Sequence, residues 1–145
     1  MTTFVDTSAV LALLDADDPR HSDVDTVWSK LILSQEDLVS SNYVLVELLA
    51  LLQRRLGMEA VKAIQSILVP LLDIQWVDME LHGAAMETFL KASRRRLSLV
   101  DCTSFEIMRR REIRRAFALD GHFPEHGFEQ IPPDAASSVE SKGLR

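Results

Sequence analysis

Apolar residues follow two different spacings along the chain, and the two alternate. Short runs rich in Val, Ile, Phe and Leu predict β-strands, whereas longer runs with apolar residues three and four positions apart predict amphipathic helices. The predicted strands cover residues 2–5, 38–39, 72–77 and 116–119, with a short edge strand at 128–131. The predicted helices cover residues 8–14, 21–34, 43–56, 59–69 and 78–93, and a last helix opens at 100–101. This alternation predicts an α/β fold, with a largely parallel sheet of four or five short strands flanked by helices.

The predicted elements fit one domain over residues 1–131, and the segment 132–145, rich in Ser, Pro and Ala, is predicted to be disordered. Polar residues interrupt the apolar runs well before the ~20 residues that a membrane span requires. The N-terminus lacks the basic region and cleavage site of a signal peptide. The single cysteine, Cys102, excludes an internal disulfide and a cysteine-rich zinc site. We therefore expect a cytoplasmic protein without a membrane segment.

Charge is unevenly distributed. The formal net charge is -6, which argues against a protein that holds nucleic acid by charge alone. Between Arg94 and Arg115, however, eight arginines outnumber three acidic residues, which gives a local balance of +5. This stretch predicts either a limited phosphate-binding surface or a solvated surface that compensates a helix C-terminus.

Four acidic residues are placed where carboxylates can meet. Asp6 and Asp120 end predicted strands, where open α/β sheets bind their ligands, and Asp101 lies in the first turn of a predicted helix. Glu47 is the only charged residue in an otherwise apolar helical run. Several carboxylates together would hold a hard cation such as Mg²⁺ or Mn²⁺. Taken singly, each has a simpler explanation: a helix cap for Asp6, a turn for Asp120, an ordinary N-terminal acid for Asp101 and a solvent-facing position for Glu47.

The order of these acids along the chain resembles a known family. The segment Phe4-Val5-Asp6-Thr7-Ser8-Ala9, then Glu47, then Val100-Asp101-Cys102-Thr103-Ser104 and finally Phe117-Ala118-Leu119-Asp120 resembles a PIN domain over residues 3–131. The branch that it resembles is that of the small toxins of VapBC-type toxin–antitoxin pairs. This resemblance implies a three-layer fold and an endoribonuclease that depends on Mg²⁺ or Mn²⁺ and leaves 5′-phosphate and 3′-hydroxyl ends.

The resemblance also assigns roles to residues. Asp6, Glu47, Asp101 and Asp120 would be the catalytic and metal-binding carboxylates, and Thr7, Ser8 and Thr103 would support them. A hydroxyl after the first aspartate would orient Asp6 or a bound water, and the Thr103 hydroxyl would do the same or bond to its own helix. The implied partners are an RNA substrate, a small antitoxin protein and a second copy of the chain in a homodimer.

Other interpretations remain open at this point. A PIN-like module without catalysis, or a housekeeping RNA-processing nuclease, would share the same fold. A haloacid-dehalogenase-like phosphatase would need an acid in place of Ser8. A response-regulator receiver would need a phosphoacceptor aspartate after a middle strand together with a late lysine, and this combination is not evident. His122 and His126 are predicted to lie in a loop at 121–127, because Pro124 between them argues against a helix. Trp28 and Trp76 are predicted to lie in the core or an interface.

Overall fold

A fully parallel five-stranded sheet forms the centre of the computed structural model, which describes residues 1–134. The strand order is β3-β2-β1-β4-β5. The strands are β1 (Thr2–Val5), β2 (Asp37–Ser41), β3 (Leu72–Gln75), β4 (Arg115–Phe117) and β5 (Glu129–Ile131). Because all strands run in one direction, their carboxyl ends meet at a single edge, and the fold confirms the predicted α/β class.

Seven helices connect and cover these strands within the described residues. They are α1 (Thr7–Leu14), α2 (His21–Leu33), α3 (Asn42–Arg55), α4 (Met58–Ala63), α5 (Met79–Ala92), α6 (Leu99–Arg110) and α7 (His122–Glu125). Two of them, α1 and α3, begin directly after a strand, because the residue at or directly after the end of the strand is also the N-cap of the helix. Asp6 accepts a hydrogen bond from the Ser8 N–H, and Ser41 accepts one from the Val44 N–H. Polar side chains are therefore concentrated at the carboxyl edge of the sheet.

The sheet separates two hydrophobic cores. Phe4, Val39 and Ala116 pack on one side against α5, α6 and α7, whereas Val5 and Phe117 pack on the other side against α1, α2 and α3. Successive residues of a strand point to opposite faces, so adjacent residues of β1 and β4 contribute to different cores. The result is the predicted three-layer arrangement of helices, sheet and helices.

Three predicted segments differ from the structure, besides shifts of one or two residues at the ends of other elements, such as β3, which ends at Gln75 and not at residue 77. The segment 59–69 is not one α-helix: α4 ends at Ala63 and continues as a π-helical turn over Ile64–Leu68 and a 3₁₀ turn over Val69–Leu71. Pro70 has no N–H with which to extend the α-helical ladder. The segment 121–127 is not all loop, because α7 forms a single turn through Pro124. Pro124 lies in the first turn, where an N–H would have no partner within the helix.

The third correction concerns β4. This strand ends at Phe117, so Asp120 lies three residues beyond the strand rather than at its end. The Leu119 N–H is bonded to the Ser8 hydroxyl at 2.9 Å and not to a neighbouring strand. The chain therefore leaves the sheet before Asp120, and Asp120 is held by a turn.

The last described residues contact the domain. The Pro133 carbonyl accepts a hydrogen bond from Arg20, and Asp134 accepts one from Gln130. The rest of the tail predicted to be disordered, residues 135–145, lies outside the described residues. Across residues 1–134, none of the helices combines the length and the apolar composition that a membrane span requires.

Candidate active site

Three of the four predicted acidic residues meet at the carboxyl edge of the sheet. Asp6 follows β1, Asp120 follows the neighbouring strand β4, and Asp101 lies in the first turn of α6. The negative charges of Asp120 and Asp101 both act on the carboxyl group of Asp6. Asp101 also acts on Asp120 through its negative charge. The three side chains therefore form one electrostatic unit, called the aspartate cluster below.

Asp6 is the most deeply buried member of the aspartate cluster, with only 3% of its surface exposed. Burial raises its pKa to about 7, and the charges of Asp120 and Asp101 act in the same direction. Hydrogen bonds from Ser8 oppose this shift: the Asp6 Oδ2 accepts from the Ser8 N–H at 3.1 Å and from the Ser8 hydroxyl at 2.6 Å. A carboxylate held at this position without a compensating cation is energetically unfavourable at neutral pH.

Asp120 is half-buried and has the same kind of environment. Burial and, to a smaller extent, the charge of Asp101 together raise its pKa to about 6. Its Oδ1 accepts a hydrogen bond of 2.7 Å from the His122 N–H, which fixes the turn into α7. Asp120 therefore stabilises a turn, as one interpretation of the sequence predicted. Its second carboxylate oxygen, Oδ2, remains available to bind a ligand.

Asp101 is fixed by a reciprocal cap at the start of α6. Its Oδ2 accepts from the Ser98 N–H at 3.1 Å, while its own N–H donates to the Ser98 hydroxyl at 3.0 Å. Each aspartate of the cluster thus has one oxygen held by a backbone N–H. The other oxygens, Asp6 Oδ1, Asp101 Oδ1 and Asp120 Oδ2, accept no hydrogen bond from a donor group within residues 1–134.

Ser98 was missed in the sequence analysis, although a signal for it exists. Ser98-Leu99-Val100-Asp101 has the spacing of a capping box, in which a serine and an acid three residues later bond to each other's backbone. This spacing identifies Ser98 as the residue that orients Asp101.

The three predicted supporting residues differ in their surroundings. The Ser8 hydroxyl joins two chain segments, because it donates to Asp6 and accepts from the Leu119 N–H. The Thr7 hydroxyl is buried and has no hydrogen-bond partner within the described part of the chain. The Thr103 hydroxyl donates to the Leu99 carbonyl of its own helix at 2.8 Å. For Thr103 the structure therefore matches the alternative of a bond to its own backbone, in a buried position.

Glu47 is not part of the cluster as the structure stands. It is half-buried on α3, beside the buried residues Val44 and Leu48. Within residues 1–134 its carboxylate makes no hydrogen bond or ion pair, and it is not among the groups that shift the pKa of Asp6 or Asp120. Its role as a fourth metal ligand stays a prediction.

The donor chemistry of the cluster suits a hard cation. Its available donors are carboxylate oxygens, which Mg²⁺ and Mn²⁺ prefer. Among residues 1–134, no three His, Cys, Asp or Glu side chains lie close enough to surround one ion directly. The cluster therefore fits an ion that keeps part of its water shell, as Mg²⁺ usually does in proteins.

Five of the eight arginines in this stretch pair with acidic residues, and four of these pairs join positions that are distant in sequence. Arg110 binds both carboxylate oxygens of Glu80, at 2.6 and 2.7 Å. The other pairs are Arg94 with Glu125, Arg109 with Glu106, Arg111 with Asp73 and Arg115 with Glu36. Of the eight arginines, only Arg95, Arg96 and Arg114 have no carboxylate partner within residues 1–134. The surface available to phosphate is therefore much smaller than the local charge of the sequence predicts.

Comparison with known proteins identifies the family. A family model described as the PIN domain matches residues 3–129. The chain is 36% identical over 132 residues to a 23S rRNA-specific endonuclease, VapC20 of Mycobacterium tuberculosis, covering 90% of this chain and 98% of that protein; the match is the same in strains CDC 1551 and H37Rv.

Solved structures agree with this result. The crystal structure of Mycobacterium tuberculosis VapC20, described as a sarcin–ricin loop cleaving toxin, superposes with a TM-score of 0.79 at 36% identity, covering 92% of this chain and all of that one. The crystal structure of FitAcB from Neisseria gonorrhoeae has a TM-score of 0.69 at 16% identity over 92% of this chain and 98% of the other, which supports the fold alone. The chain therefore belongs to the PIN-domain family, in the branch of the VapC-type toxins.

Proposed function

We propose that this chain is an endoribonuclease toxin of a toxin–antitoxin pair and that it hydrolyses RNA with the help of Mg²⁺ or Mn²⁺. The observation that carries the proposal is the aspartate cluster, in which the charges of Asp101 and Asp120 make a charged Asp6 less favourable at a ligand-binding edge of the sheet. Such a cluster is stable at neutral pH only with protons or a cation. Membership of the PIN-domain family supports the cation.

The residues at this site would have different roles in binding the ion and water. Asp6 Oδ1, Asp101 Oδ1 and Asp120 Oδ2 would hold the ion, directly or through water, because their other oxygens are fixed by the backbone. When bound, the ion would lower the pKa of a water molecule and neutralise charge on the phosphate. The unpartnered hydroxyl of Thr7 would bond to a water in the site, and Glu47 would contribute from α3 through water. Ser8 would keep Asp6 and Asp120 in register.

The relatives suggest where to look for the substrate. VapC20 is described as specific for 23S rRNA and as cleaving the sarcin–ricin loop. We therefore take the sarcin–ricin loop of 23S rRNA as the first candidate substrate and the cytoplasm as the site of action. A looped RNA of this kind can be recognised by shape and by exposed bases.

The proposal is tested by cleavage of an RNA hairpin that carries the sarcin–ricin loop. We expect cleavage with Mg²⁺ or Mn²⁺, no cleavage in EDTA, and recovery when the metal is restored, because the aspartate cluster needs a cation to bind a phosphate. A hairpin with a scrambled loop is the control for substrate choice. Tight RNA binding without cleavage in any of these metals would instead support a PIN-like module without catalysis.

An apolar groove on the α1–α2 side of the protein favours a protein partner. We call it the helix groove; it is lined by Leu13, Leu14, Trp28, Ile32, Ala63, Ile64, Ile67, Leu68 and Leu71. Ile67 is 69% exposed and Leu71 49% exposed. A groove of this composition suits the apolar face of an amphipathic helix, which is a common way for a folded protein to hold a short partner. We assign the groove to a helix of the antitoxin.

The exposed face of α5 is a separate apolar surface. Met79 is 90% exposed, Leu90 is 66% exposed, and Trp76 just before the helix is 71% exposed, so Trp76 does not lie in the core and an interface is the predicted position that remains. A homodimer would bury these side chains. The helix groove, built from α1, α2 and the segment 63–71, lies in the opposite helical layer and stays available to the antitoxin in such a dimer.

Two substitutions test the helix groove and the exposed face of α5 independently. Ile67→Glu is expected to reduce the capture of the proposed antitoxin at least ten-fold, because it places a charge in an apolar groove. Met79→Glu should leave capture unchanged and instead lower the mass of the free protein from dimer to monomer in light scattering. Equal capture by Ile67→Glu and wild type would contradict the assignment of the groove.

A further inference from the structure

The turn between α5 and α6, residues 94–98, is held in place at several points. Arg94 forms an ion pair of 3.1 Å with Glu125 of α7, which lowers the pKa of Glu125. The Leu97 side chain is buried, with 2% exposed, and its N–H bonds to the Arg94 carbonyl at 3.3 Å. The Arg96 carbonyl accepts a hydrogen bond of 3.0 Å from His122 Nε2. The backbone of this turn is therefore fixed relative to α7.

This turn presents two arginine side chains that no acid neutralises. Arg95 and Arg96 are exposed, and neither has a carboxylate within ion-pair distance in residues 1–134. Arg94, immediately before them, is the residue that pairs with Glu125. The turn thus uses one arginine to fix its position and leaves two guanidinium groups to solvent. A guanidinium group with free donors on a fixed backbone is well suited to bind phosphate oxygens.

The turn is connected to two members of the aspartate cluster. Ser98, at the end of the turn, donates its N–H to Asp101. The Arg96 carbonyl accepts a hydrogen bond from the side chain of His122, whose own N–H donates to Asp120. Neither Arg95 nor Arg96 contributes to the pKa shifts of Asp6 and Asp120. The two guanidinium groups are therefore carried by a backbone that is joined to the cluster, and they do not neutralise it. Guanidinium groups on a turn that is joined to the cluster suit contacts with phosphates that flank the bond to be cleaved.

We propose that Arg95 and Arg96 bind the RNA backbone next to the scissile phosphate and so bring a polyanion to an acidic site. This inference rests on the proposed function, since it names the contacts of the same substrate. The whole protein carries a formal charge of -6, and the aspartate cluster adds local repulsion, so RNA would need a cationic surface close to the cluster. The backbone that carries Arg95 and Arg96 is joined to that cluster by hydrogen bonds. Arg114, by contrast, lies before β4, at the amino edge of the sheet.

The test compares two double substitutions that remove the same charge. Arg95→Gln/Arg96→Gln removes the proposed contacts, and Arg54→Gln/Arg55→Gln is the control. Arg54 and Arg55 are also exposed and have no acidic partner within the described residues, but they end α3 at the opposite edge of the sheet. Binding of a fluorescent sarcin–ricin hairpin is measured in EDTA at several salt concentrations, where cleavage is suppressed.

We expect Arg95→Gln/Arg96→Gln to bind the hairpin about ten-fold more weakly than wild type at low salt. The slope of log affinity against log salt should fall by roughly 1.4 to 1.8, because each lost phosphate contact removes about 0.7 to 0.9 from it. The control should change both quantities by a much smaller amount. Equal losses in the two double variants would overturn the inference, because they would show a general effect of charge.

Cleavage by the same proteins separates this inference from the proposed function. With Mg²⁺ or Mn²⁺, Arg95→Gln/Arg96→Gln should raise KM about ten-fold and leave kcat close to the wild-type value, since the contacts are made equally before and during cleavage. Unchanged KM and affinity in a wild type that cleaves would refute the phosphate contacts alone. Absence of cleavage by the wild type, together with the expected loss of binding, would refute the proposed function and leave these contacts supported.

Discussion

Substitution of Asp6 by asparagine is expected to reduce RNA cleavage at least about a thousand-fold, measured as initial rate with saturating Mg²⁺ or Mn²⁺. Loss of a residue that merely orients a metal ligand costs roughly 10 to 100-fold in metal affinity or activity, so loss of the ligand charge itself should cost more. Asparagine keeps the shape of the side chain and still accepts the hydrogen bonds from Ser8. The expected loss is therefore attributable to charge and not to a misfolded site.

The matched control is Asp37→Asn. Asp37 is exposed at the start of β2, at the amino edge of the sheet, so the same change of charge should leave the rate unaltered. Asp101→Asn and Asp120→Asn should lose activity as Asp6→Asn does, and Glu47→Gln should lose less if it acts only through water. Wild-type rates in Asp6→Asn/Asp101→Asn would rule out the metal-dependent mechanism.

The parts of the fold that could be predicted from sequence depend on local chemistry. The strands β1 and β3, the caps at Asp6 and Asp78 and the apolar faces of α2 and α3 follow from spacing and from residue type over a few positions. The position of Asp6 could be predicted for the same reason, because a residue that both ends a strand and caps a helix has to lie at the edge of the sheet.

The parts that were missed depend on contacts between distant segments. The bond between Ser8 and the Leu119 N–H joins residues 111 positions apart, and it lies just beyond the end of β4 on the segment that leads to Asp120. The pairing of Arg110 with Glu80 likewise spans 30 positions. The sequence shows that this stretch carries many arginines. Only the tertiary structure shows which of them pair with a carboxylate and which do not within residues 1–134.

The orientation of Glu47 also could not be predicted from the sequence. The apolar run around it predicted correctly that the residue lies on a helix, and the cost of burying a charge suggested a partner. The helix instead places Glu47 at the border of its buried face, half-exposed, where water can hydrate the carboxylate. A sequence pattern shows that a carboxylate is unusual in its segment, but not whether the helix rotates it towards the other three acids.

The aspartate cluster should also make the metal-free protein less stable as pH rises. Asp6 has a pKa of about 7 in the folded chain and 3.8 as its usual value, so between these limits the folded state binds more protons than the unfolded state. The free energy of unfolding should therefore fall as pH increases from about 4 to 7. At 1.36 kcal/mol for each pKa unit, the charged form of Asp6 costs the fold up to about 4 kcal/mol above pH 7.

Asp6→Asn removes this cost, so in EDTA at pH 8 the inactive variant should be more stable than the wild type by up to about 4 kcal/mol, and the difference should shrink towards zero near pH 4. Urea unfolding at pH 8, 6 and 4 measures it, with Asp37→Asn as the control that stays at the wild-type value. Added Mg²⁺ should stabilise the wild type and leave Asp6→Asn nearly unchanged, since an ion stabilises only the state that binds it. A wild type that is more stable than Asp6→Asn at pH 8 in EDTA would contradict this prediction. It would show that groups of the protein itself compensate the charge of Asp6, so that the site would not need a cation.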